Sequence, residues 1–298
     1  MKEQKSSDTA ESAAATRALE TLRAPDQRLI EDPYAFLFLG VLNKCLITLG
    51  RSQHIRSWTT SFYERKFPGV MGEFVFRTAA IDRILLQAAQ KGGIQVVLCG
   101  AGYDSRSLRF PKDLPIRWFE LDHPATQAKK QITLQKAGLQ SPSTMIPLDF
   151  ESDFLQQNDL LLRHGLDQSV PTFFLMEGVS YYLQEESFAR FLTWIASQLI
   201  DHMEVIFNFL DKGFLENPAS FPGGKRIDAH VKKVGEPFLF GLAPKEIDKW
   251  LGDVGFKLIK KQTVADYAAP LMKNKQKVYV YSSMFLLARA INKQGSES

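Results

Sequence analysis

Cysteine is scarce in this chain, because only Cys45 and Cys99 occur among its 298 residues. Cys45 falls in a predicted helix and Cys99 in a predicted core strand. Two such residues do not indicate the disulfide framework of a small secreted domain. We therefore expect no structural disulfide and a reducing, cytoplasmic compartment. No metal site is predicted either.

The chain also lacks a strong charge of one sign and a long hydrophobic run. Its 37 basic and 33 acidic residues give a formal net charge of +4 without a basic stripe, so we expect no nucleic-acid partner. Residues 1–20 are charged and rich in alanine, unlike a signal peptide. The most apolar run, 34–42, ends at Asn43 and Lys44. It is too short to span a membrane and predicts a buried helix, and no membrane partner is expected; the oligomeric state stays open.

The order of predicted elements indicates an α/β protein. The pattern is helical up to about residue 90; strands and helices then alternate, which is typical of a doubly wound, mostly parallel sheet. We predict one integrated domain, with a helical cap and the first core helices over 1–91 and a Rossmann-like core over 92–298. Strands are predicted over 96–99, 118–121, 144–148, 172–176, 205–209, 257–259 and 277–288, and one of the helical stretches between them over 153–164.

Residues 212–242 interrupt this alternation. They show no clean period and contain three prolines and five glycines. A connection of this length inside a compact domain is usually functional or disordered. We predict that it forms a lid over the carboxyl edge of the sheet, and an ordinary connection is the alternative.

A glycine turn follows the first predicted strand. Gly100 and Gly102 come directly after four consecutive apolar residues, where glycine lets the backbone turn sharply and approach a ligand closely. Asp122 lies 22 positions after Gly100, at the end of the second strand. An acidic residue about 20 positions beyond the turn binds ribose hydroxyls in Rossmann-like folds. The pair predicts a nucleoside site, and a simple tight turn is the alternative.

The chemistry of the other strand ends narrows the ligand. Asp149 and Glu177 follow the third and fourth strands, and Ser105 stands where the dinucleotide fingerprint has its third glycine. Carboxylates along a crevice repel a pyrophosphate, whereas they suit the ribose, adenine amino group and cationic groups of S-adenosylmethionine. Arg77, and less strongly Arg17, are candidates to bind its carboxylate; a solvated helix position is the alternative for each.

Five groups of residues, in order along the chain, resemble the motifs of the leucine carboxyl methyltransferase-like family. Similarity extends over residues 9–210 and includes Arg17 and Asp32-Pro33-Tyr34 in the N-terminal segment. The motifs are Phe76-Arg77-Thr78 with Ile81-Asp82, Gly100-Ala101-Gly102-Tyr103-Asp104-Ser105-Arg106, Phe119-Glu120-Leu121-Asp122-His123-Pro124, Asp149-Phe150, and Glu177-Gly178 with Tyr182-Leu183.

The resemblance implies a class I methyltransferase fold with a helical cap and S-adenosylmethionine as the methyl donor. It also implies a role for each matching residue. Arg77 would bind the methionine carboxylate with help from Arg17, Gly100 and its neighbour Gly102 would lie under the cofactor, Asp122 would bind the ribose, Asp149 and Phe150 the adenine, and Glu177 the methionine amino group.

Departures from the family pattern leave the methyl acceptor open. Ser105 replaces the usual threonine and Phe150 a common leucine. Residues after Asp211, which help to shape the acceptor pocket in this family, do not align with the family pattern. Family members methylate either a protein C-terminal carboxylate or oxygen atoms of small natural products. Both acceptor classes therefore remain candidates.

The choice of acceptor decides whether a base is needed. A carboxylate is already ionised at neutral pH, whereas an alcohol or phenol benefits from a general base. His123, Tyr181 and Tyr182 are candidate bases, with a turn residue and packed aromatic rings as the respective alternatives. Arg106 is a candidate to steer an anionic acceptor, or else stabilises the loop beside Asp104.

We therefore predict an S-adenosylmethionine-dependent O-methyltransferase. One alternative is an NAD(P)-dependent oxidoreductase, which shares the glycine turn and Asp122 but needs the missing third glycine. A second alternative is a catalytically silent module that binds the cofactor while its lid serves a partner.

Overall fold

A computed structural model of the chain describes residues 8–151 and 157–293. Within those residues, seven strands form one sheet. They are β1 (Ile94–Cys99), β2 (Ile116–Asp122), β3 (Thr144–Pro147), β4 (Thr172–Met176), β5 (Met203–Leu210), β6 (Phe256–Thr263) and β7 (Phe285–Asn292). The predicted α/β architecture is confirmed.

The strand order in the sheet is β3-β2-β1-β4-β5-β7-β6. The first five of these strands pair in parallel, while β7 is antiparallel to both β5 and β6. The prediction of a mostly parallel sheet is therefore confirmed. The chain reverses its direction of winding between β3 and β4, so the carboxyl ends of β1 and β4 flank the crevice where such sheets bind ligands.

Strand β1 shows why the sheet is covered on both faces. All six of its residues are buried, as expected for a central parallel strand. Val96 and Leu98 belong to one hydrophobic core and Val97 and Cys99 to the other, because successive side chains point to opposite faces.

Helices lie before the sheet and between its strands. They are α1 (Asp8–Thr21), α2 (Val41–Leu49), α3 (Gln53–Lys66), α4 (Val70–Ala89), α5 (Arg106–Arg109), α6 (Pro124–Lys136), α7 (Leu160–Arg163), α8 (Glu185–Ala196), α9 (Lys212–Glu216), α10 (Gly224–Val234), α11 (Ile247–Asp253) and α12 (Val264–Ala268). The helical stretch predicted over 153–164 lies partly outside the described residues, and α7 covers only its end.

The prediction of a buried helix over residues 34–42 is wrong. A single 3₁₀ turn, Ala35–Phe38, is held by Asp32, whose carboxylate accepts the backbone N–H groups of Tyr34 and Ala35. The chain then extends, and α2 begins with Val41 and Leu42, which are 81% and 74% exposed.

The strand predicted over 277–288 is also too long, because β7 begins only at Phe285. The alternating aromatic residues before it pack against other elements instead of entering the sheet. The Tyr279 hydroxyl donates a hydrogen bond to Glu20 Oε2 in α1 at 2.5 Å, and the Tyr279 and Tyr281 rings contact Phe76 of α4 edge-on.

The segment 212–242 contains more regular structure than its sequence predicts. It folds into α9, a 3₁₀ turn (Pro218–Ser220) and α10. Ile227 and Val231 of α10 are buried, four residues apart on one helix face. The role of the segment as a lid and the division of the chain at residue 91 stay predictions.

None of the helices in the described residues has the length and apolar character needed to cross a bilayer.

Candidate active site

Gly100, Gly102 and Asp122 meet at the carboxyl ends of β1 and β2. Gly100 and Gly102 have φ angles of +71° and +48°, the left-handed region that glycine adopts without a steric penalty. The Gly102 N–H donates to Asp122 Oδ2 at 2.5 Å. The predicted glycine turn therefore lies directly against the predicted ribose-binding carboxylate.

Asp122 is buried and accepts a second backbone hydrogen bond. The His123 N–H donates to its Oδ1 at 2.6 Å. Burial raises the pKa of Asp122, although these two backbone N–H groups oppose the rise. Each carboxylate oxygen has a second lone pair for a ligand hydroxyl, so this geometry suits a vicinal diol.

His123 is the N-terminal cap of α6. Its Nδ1 accepts a hydrogen bond from the Ala125 N–H at 3.2 Å, which satisfies a backbone donor that the first turn of a helix leaves free. This contact is what a residue with a structural role in the turn before α6 would make. A role of His123 as a general base stays a prediction.

Glu177, at the end of β4, lies between two arginines. Arg77 Nε is 3.0 Å from its Oε1 and Arg106 Nη2 is 2.5 Å from its Oε2, and the Thr78 hydroxyl also donates to Oε1. Burial raises the pKa of Glu177, but the charges of Arg106 and Arg77 more than compensate and hold it well below its usual range. Glu177 is therefore an anion.

Arg106 connects this pair to the loop after β1. Its Nε is 2.7 Å from Asp82 Oδ1 in α4, and its Nη1 pairs with Asp104. These contacts agree with the predicted loop-stabilising role. Steering of an anionic acceptor by Arg106 stays a prediction.

Arg17 of α1 reaches the same loop from the cap. Its Nε donates to Asp32 Oδ2 at 2.8 Å, and its Nη2 donates to the Tyr103 carbonyl at 2.6 Å. Burial raises the pKa of Asp32, but Arg17 and Arg109 outweigh it and the net shift is downward. The Ser105 hydroxyl also donates to Asp32, so this departure from the family pattern retains a hydroxyl with a structural contact.

Asp149 and Phe150 follow β3, which pairs with β2 so that Asp122 is in register with Pro147. Asp149 is exposed and accepts the Glu151 N–H at 3.0 Å. The Phe150 ring packs edge-on against Phe191 of α8, with 4.6 Å between ring centroids. Their predicted contacts with adenine stay predictions.

Tyr181 and Tyr182 lie on the wall of a cavity of about 180 Å³. Arg77 Nη1 donates to the Tyr181 hydroxyl at 3.1 Å, and the Tyr182 hydroxyl is 3.3 Å from Thr9 Oγ1. Burial raises the pKa of both tyrosines. The cavity therefore begins beside the arginine and carboxylate cluster at the end of β4.

Comparison with known proteins settles the family. The model of the leucine carboxyl methyltransferase family matches residues 10–196. The chain belongs to this family. The predicted resemblance is confirmed, and the match ends before the segment 212–242, whose relation to the family could not be predicted from the motifs.

Two bacterial relatives support this assignment. The chain is 30% identical over 185 residues to the Bacillus subtilis protein named "Putative S-adenosyl-L-methionine-dependent methyltransferase YktD", a match that covers 60% of the chain and 59% of the relative. It is 31% identical over 180 residues to a Mycobacterium tuberculosis protein named "Putative S-adenosyl-L-methionine-dependent methyltransferase", covering 59% of the chain and 56% of the relative. The matches thus span less than two thirds of these relatives. Both names describe S-adenosylmethionine-dependent methyltransferases, which agrees with the predicted enzyme class and cofactor.

A solved structure supports the fold. A "putative methyltransferase" from Thermobifida fusca superimposes with a TM-score of 0.58 at 15% identity and covers 94% of each chain. This likeness, together with the strand order, confirms the class I methyltransferase fold that the family resemblance implies.

Three charged residues near the site, Glu73, Asp82 and Lys130, have no role predicted from the sequence. Lys130 Nζ lies 2.7 Å from Glu120 Oε2 and 2.6 Å from the Asp104 carbonyl. A charged residue within an apolar strand pattern could have indicated such a pair, as Glu120 does in β2. Charged side chains are rarely buried unless they are paired, so a buried partner for Glu120 could have been expected.

No group of three or more metal-ligating side chains occurs in the part of the chain that the structure describes.

Proposed function

We propose that this chain is an S-adenosylmethionine-dependent methyltransferase that transfers a methyl group to an oxygen atom of a carboxylate or a hydroxyl. The observation that carries the proposal is the position of Asp122, whose carboxylate lies against the glycine turn at the crevice between strand ends. The names of the two relatives supply the cofactor and the enzyme class. The choice of oxygen as the acceptor atom rests on the family.

The charged residues fit the amino-acid end of such a cofactor. That end carries an ammonium and a carboxylate, and the chain presents the opposite charges side by side, with Arg77 Nε 3.0 Å from Glu177 Oε1. The two side chains are held by Thr78, Arg106 and Tyr181. We infer that Arg77 and Glu177 bind the two groups, while Asp122 binds the ribose hydroxyls.

When bound, the cofactor supplies an electrophilic methyl group. The chain's own contribution is then to orient the reactants and exclude water. The cavity begins at Tyr181, which is hydrogen-bonded to Arg77, so an acceptor in the cavity would lie beside the amino-acid end of the cofactor. Segment 212–242 contributes Ile227 and Val231 to the cavity wall, which supports its proposed lid role.

Calorimetric titration of the full chain with S-adenosylmethionine, its demethylated product and NAD tests the proposal. We expect micromolar binding of the first two ligands and none of NAD. Asp122→Ala should abolish that binding with an unchanged circular dichroism spectrum. The control is Asp201→Ala, which should bind the cofactor like the wild type. Asp201 is exposed and precedes β5, at the amino-terminal ends of the parallel strands and away from the crevice.

Two outcomes would overturn the cofactor assignment: undiminished affinity in Asp122→Ala, or binding of NAD alone. Binding of S-adenosylmethionine without methyl transfer to any phenol, alcohol or carboxylate tested would instead favour the silent module.

A further inference from the structure

The cavity beside Tyr181 has a mainly apolar wall built by several elements, with threonine, serine and asparagine side chains among the lining residues. The cap contributes Leu19 and Ile47, α10 contributes Val231, and the chain around β7 contributes Phe285. Its volume of about 180 Å³ is similar to that of an engineered apolar cavity of about 150 Å³ that binds benzene. The space therefore suits one aromatic ring or a short alkyl group.

One acidic residue lines this mainly apolar space. Among the residues that line the cavity within the described parts of the chain, Glu73 is acidic, His230 is the one histidine, and none is lysine or arginine. Glu73 is 1% exposed. Its Oε2 accepts the Tyr267 hydroxyl at 2.5 Å, and its Oε1 accepts Asn208 Nδ2 at 3.2 Å, so two of about four acceptor positions of the carboxylate are used.

The surroundings of Glu73 disfavour negative charge. Burial raises the pKa of its carboxyl, and Arg77, whose Nη1 is 3.5 Å from Oε1, only partly offsets the rise. That arginine is already paired with Glu177. An anionic acceptor would leave water for a mainly apolar wall without lysine or arginine. It would also lie where burial already disfavours negative charge on Glu73, and both effects are unfavourable.

We propose that the methyl acceptor is an uncharged, mainly apolar molecule that donates a hydroxyl hydrogen bond to Glu73, and that it is not a carboxylate. This inference deepens the proposed function and rests on it, because it identifies the occupant of the cavity as the acceptor. It selects one of the two acceptor classes that the sequence leaves open.

A matched pair of probes tests the charge preference. 4-Propylphenol and 4-propylbenzoate share a ring and an alkyl chain, but only the benzoate is charged at neutral pH, because phenols have a pKa of about 10 and carboxylic acids of about 4. Each is titrated calorimetrically into the full chain. We expect the phenol to bind at least about tenfold more tightly, because the benzoate loses hydration without gaining a cation.

Two variants test whether the probes bind in the cavity and whether Glu73 causes the preference for the phenol. Val231→Trp fills the cavity and should weaken phenol binding by more than about tenfold, because it occupies the space of the ligand. Glu73→Gln replaces one carboxyl oxygen with an amide donor while retaining an oxygen for Tyr267. The amide can donate to a carboxylate, so the variant should narrow the ratio between phenol and benzoate affinities. If Glu73→Gln does not fold, the wild-type ratio and Val231→Trp still decide the question.

The outcomes distinguish the two proposals. Equal or tighter binding of the benzoate, no binding of either probe, or unchanged phenol binding in Val231→Trp would overturn the neutral-acceptor proposal. If the wild type does not bind S-adenosylmethionine but still prefers the phenol, the result would count against the proposed function while supporting the selectivity of the cavity.

Discussion

Arg106, the buried first residue of α5, forms an ion pair with Glu177 in the loop after β4, with 2.5 Å between Nη2 and Oε2. Arg106 also pairs with Asp104 in the loop after β1. Arg77 joins the pair of Arg106 and Glu177 from α4. The two loops that flank the crevice are thus fixed to each other and to the helix that precedes the sheet. This arrangement holds charged groups ready for a zwitterionic ligand, at the cost of burying them.

Replacing Glu177 with glutamine should strongly destabilise the fold. The variant retains the shape of the side chain but leaves Arg77 and Arg106 without the carboxylate they share. Removing one partner of a buried ion pair costs about 3–5 kcal/mol. We expect a decrease of about 3 kcal/mol in the free energy of unfolding, measured by urea denaturation near neutral pH, since Asp82 and Asp104 still compensate part of the charge.

Glu204→Gln is the matched control. Glu204 pairs with Arg289 in the same sheet. The Glu204 and Glu177 carboxylates are similarly exposed, at 13% and 12%, but Arg289 is 26% exposed whereas Arg77 and Arg106 are 3% and 2% exposed. A partly solvated pair contributes about 1 kcal/mol or less. Equal losses in the two variants would contradict the claim that burial makes the Glu177 pair important.

The contribution of Glu177 should depend on pH. Its pKa in the folded state lies below the ordinary value of 4.5 because Arg106 and Arg77 outweigh the effect of burial. The folded state thus binds this proton more weakly than the unfolded state, so the stabilisation is complete above pH 4.5 and is lost as the pH falls towards the folded pKa. The stability difference between the wild type and Glu177→Gln should therefore shrink on acidification. Urea denaturation of the wild type and of Glu177→Gln between about pH 7 and about pH 3 measures this stability difference. A difference that stays constant or grows on acidification would contradict the prediction.

The positions of the site residues along the sheet could be predicted from sequence, whereas their contacts could not. Alternating strands and helices imply a parallel sheet, and the carboxyl ends of its strands share one edge, so Gly100, Asp122 and Glu177 were expected together. The contact between Arg77 and Glu177 joins residues 100 positions apart. No local pattern encodes such a pairing, because it depends on how α4 packs against the sheet.

The errors have similar physical causes. The run before β7 has the alternation of a strand, but Tyr279 takes Glu20 of α1 as its hydrogen-bond partner, and the chain enters the sheet only at Phe285. Helix α10 was not predicted from the sequence, because glycines stand immediately before and after it, at positions 223 and 235, and because it buries only a narrow face. Tertiary contacts decided both segments, whereas local preference is a weak guide for short elements.

Gly100→Ala should destabilise the protein by more than Gly138→Ala. Both glycines have nearly the same φ, +71° and +70°, so each pays about 1–2 kcal/mol for a left-handed alanine. A Cβ at Gly100 would lie 2.6 Å from Val179 Cγ2, whereas one at Gly138 meets nothing within 4 Å. This overlap should add about 1–3 kcal/mol to the loss of stability in Gly100→Ala. Adding Val179→Ala removes the overlap, so the double variant should regain only the stability that the overlap costs. Equal losses for the two single variants in urea denaturation would show that the turn does not pack tightly against the loop after β4.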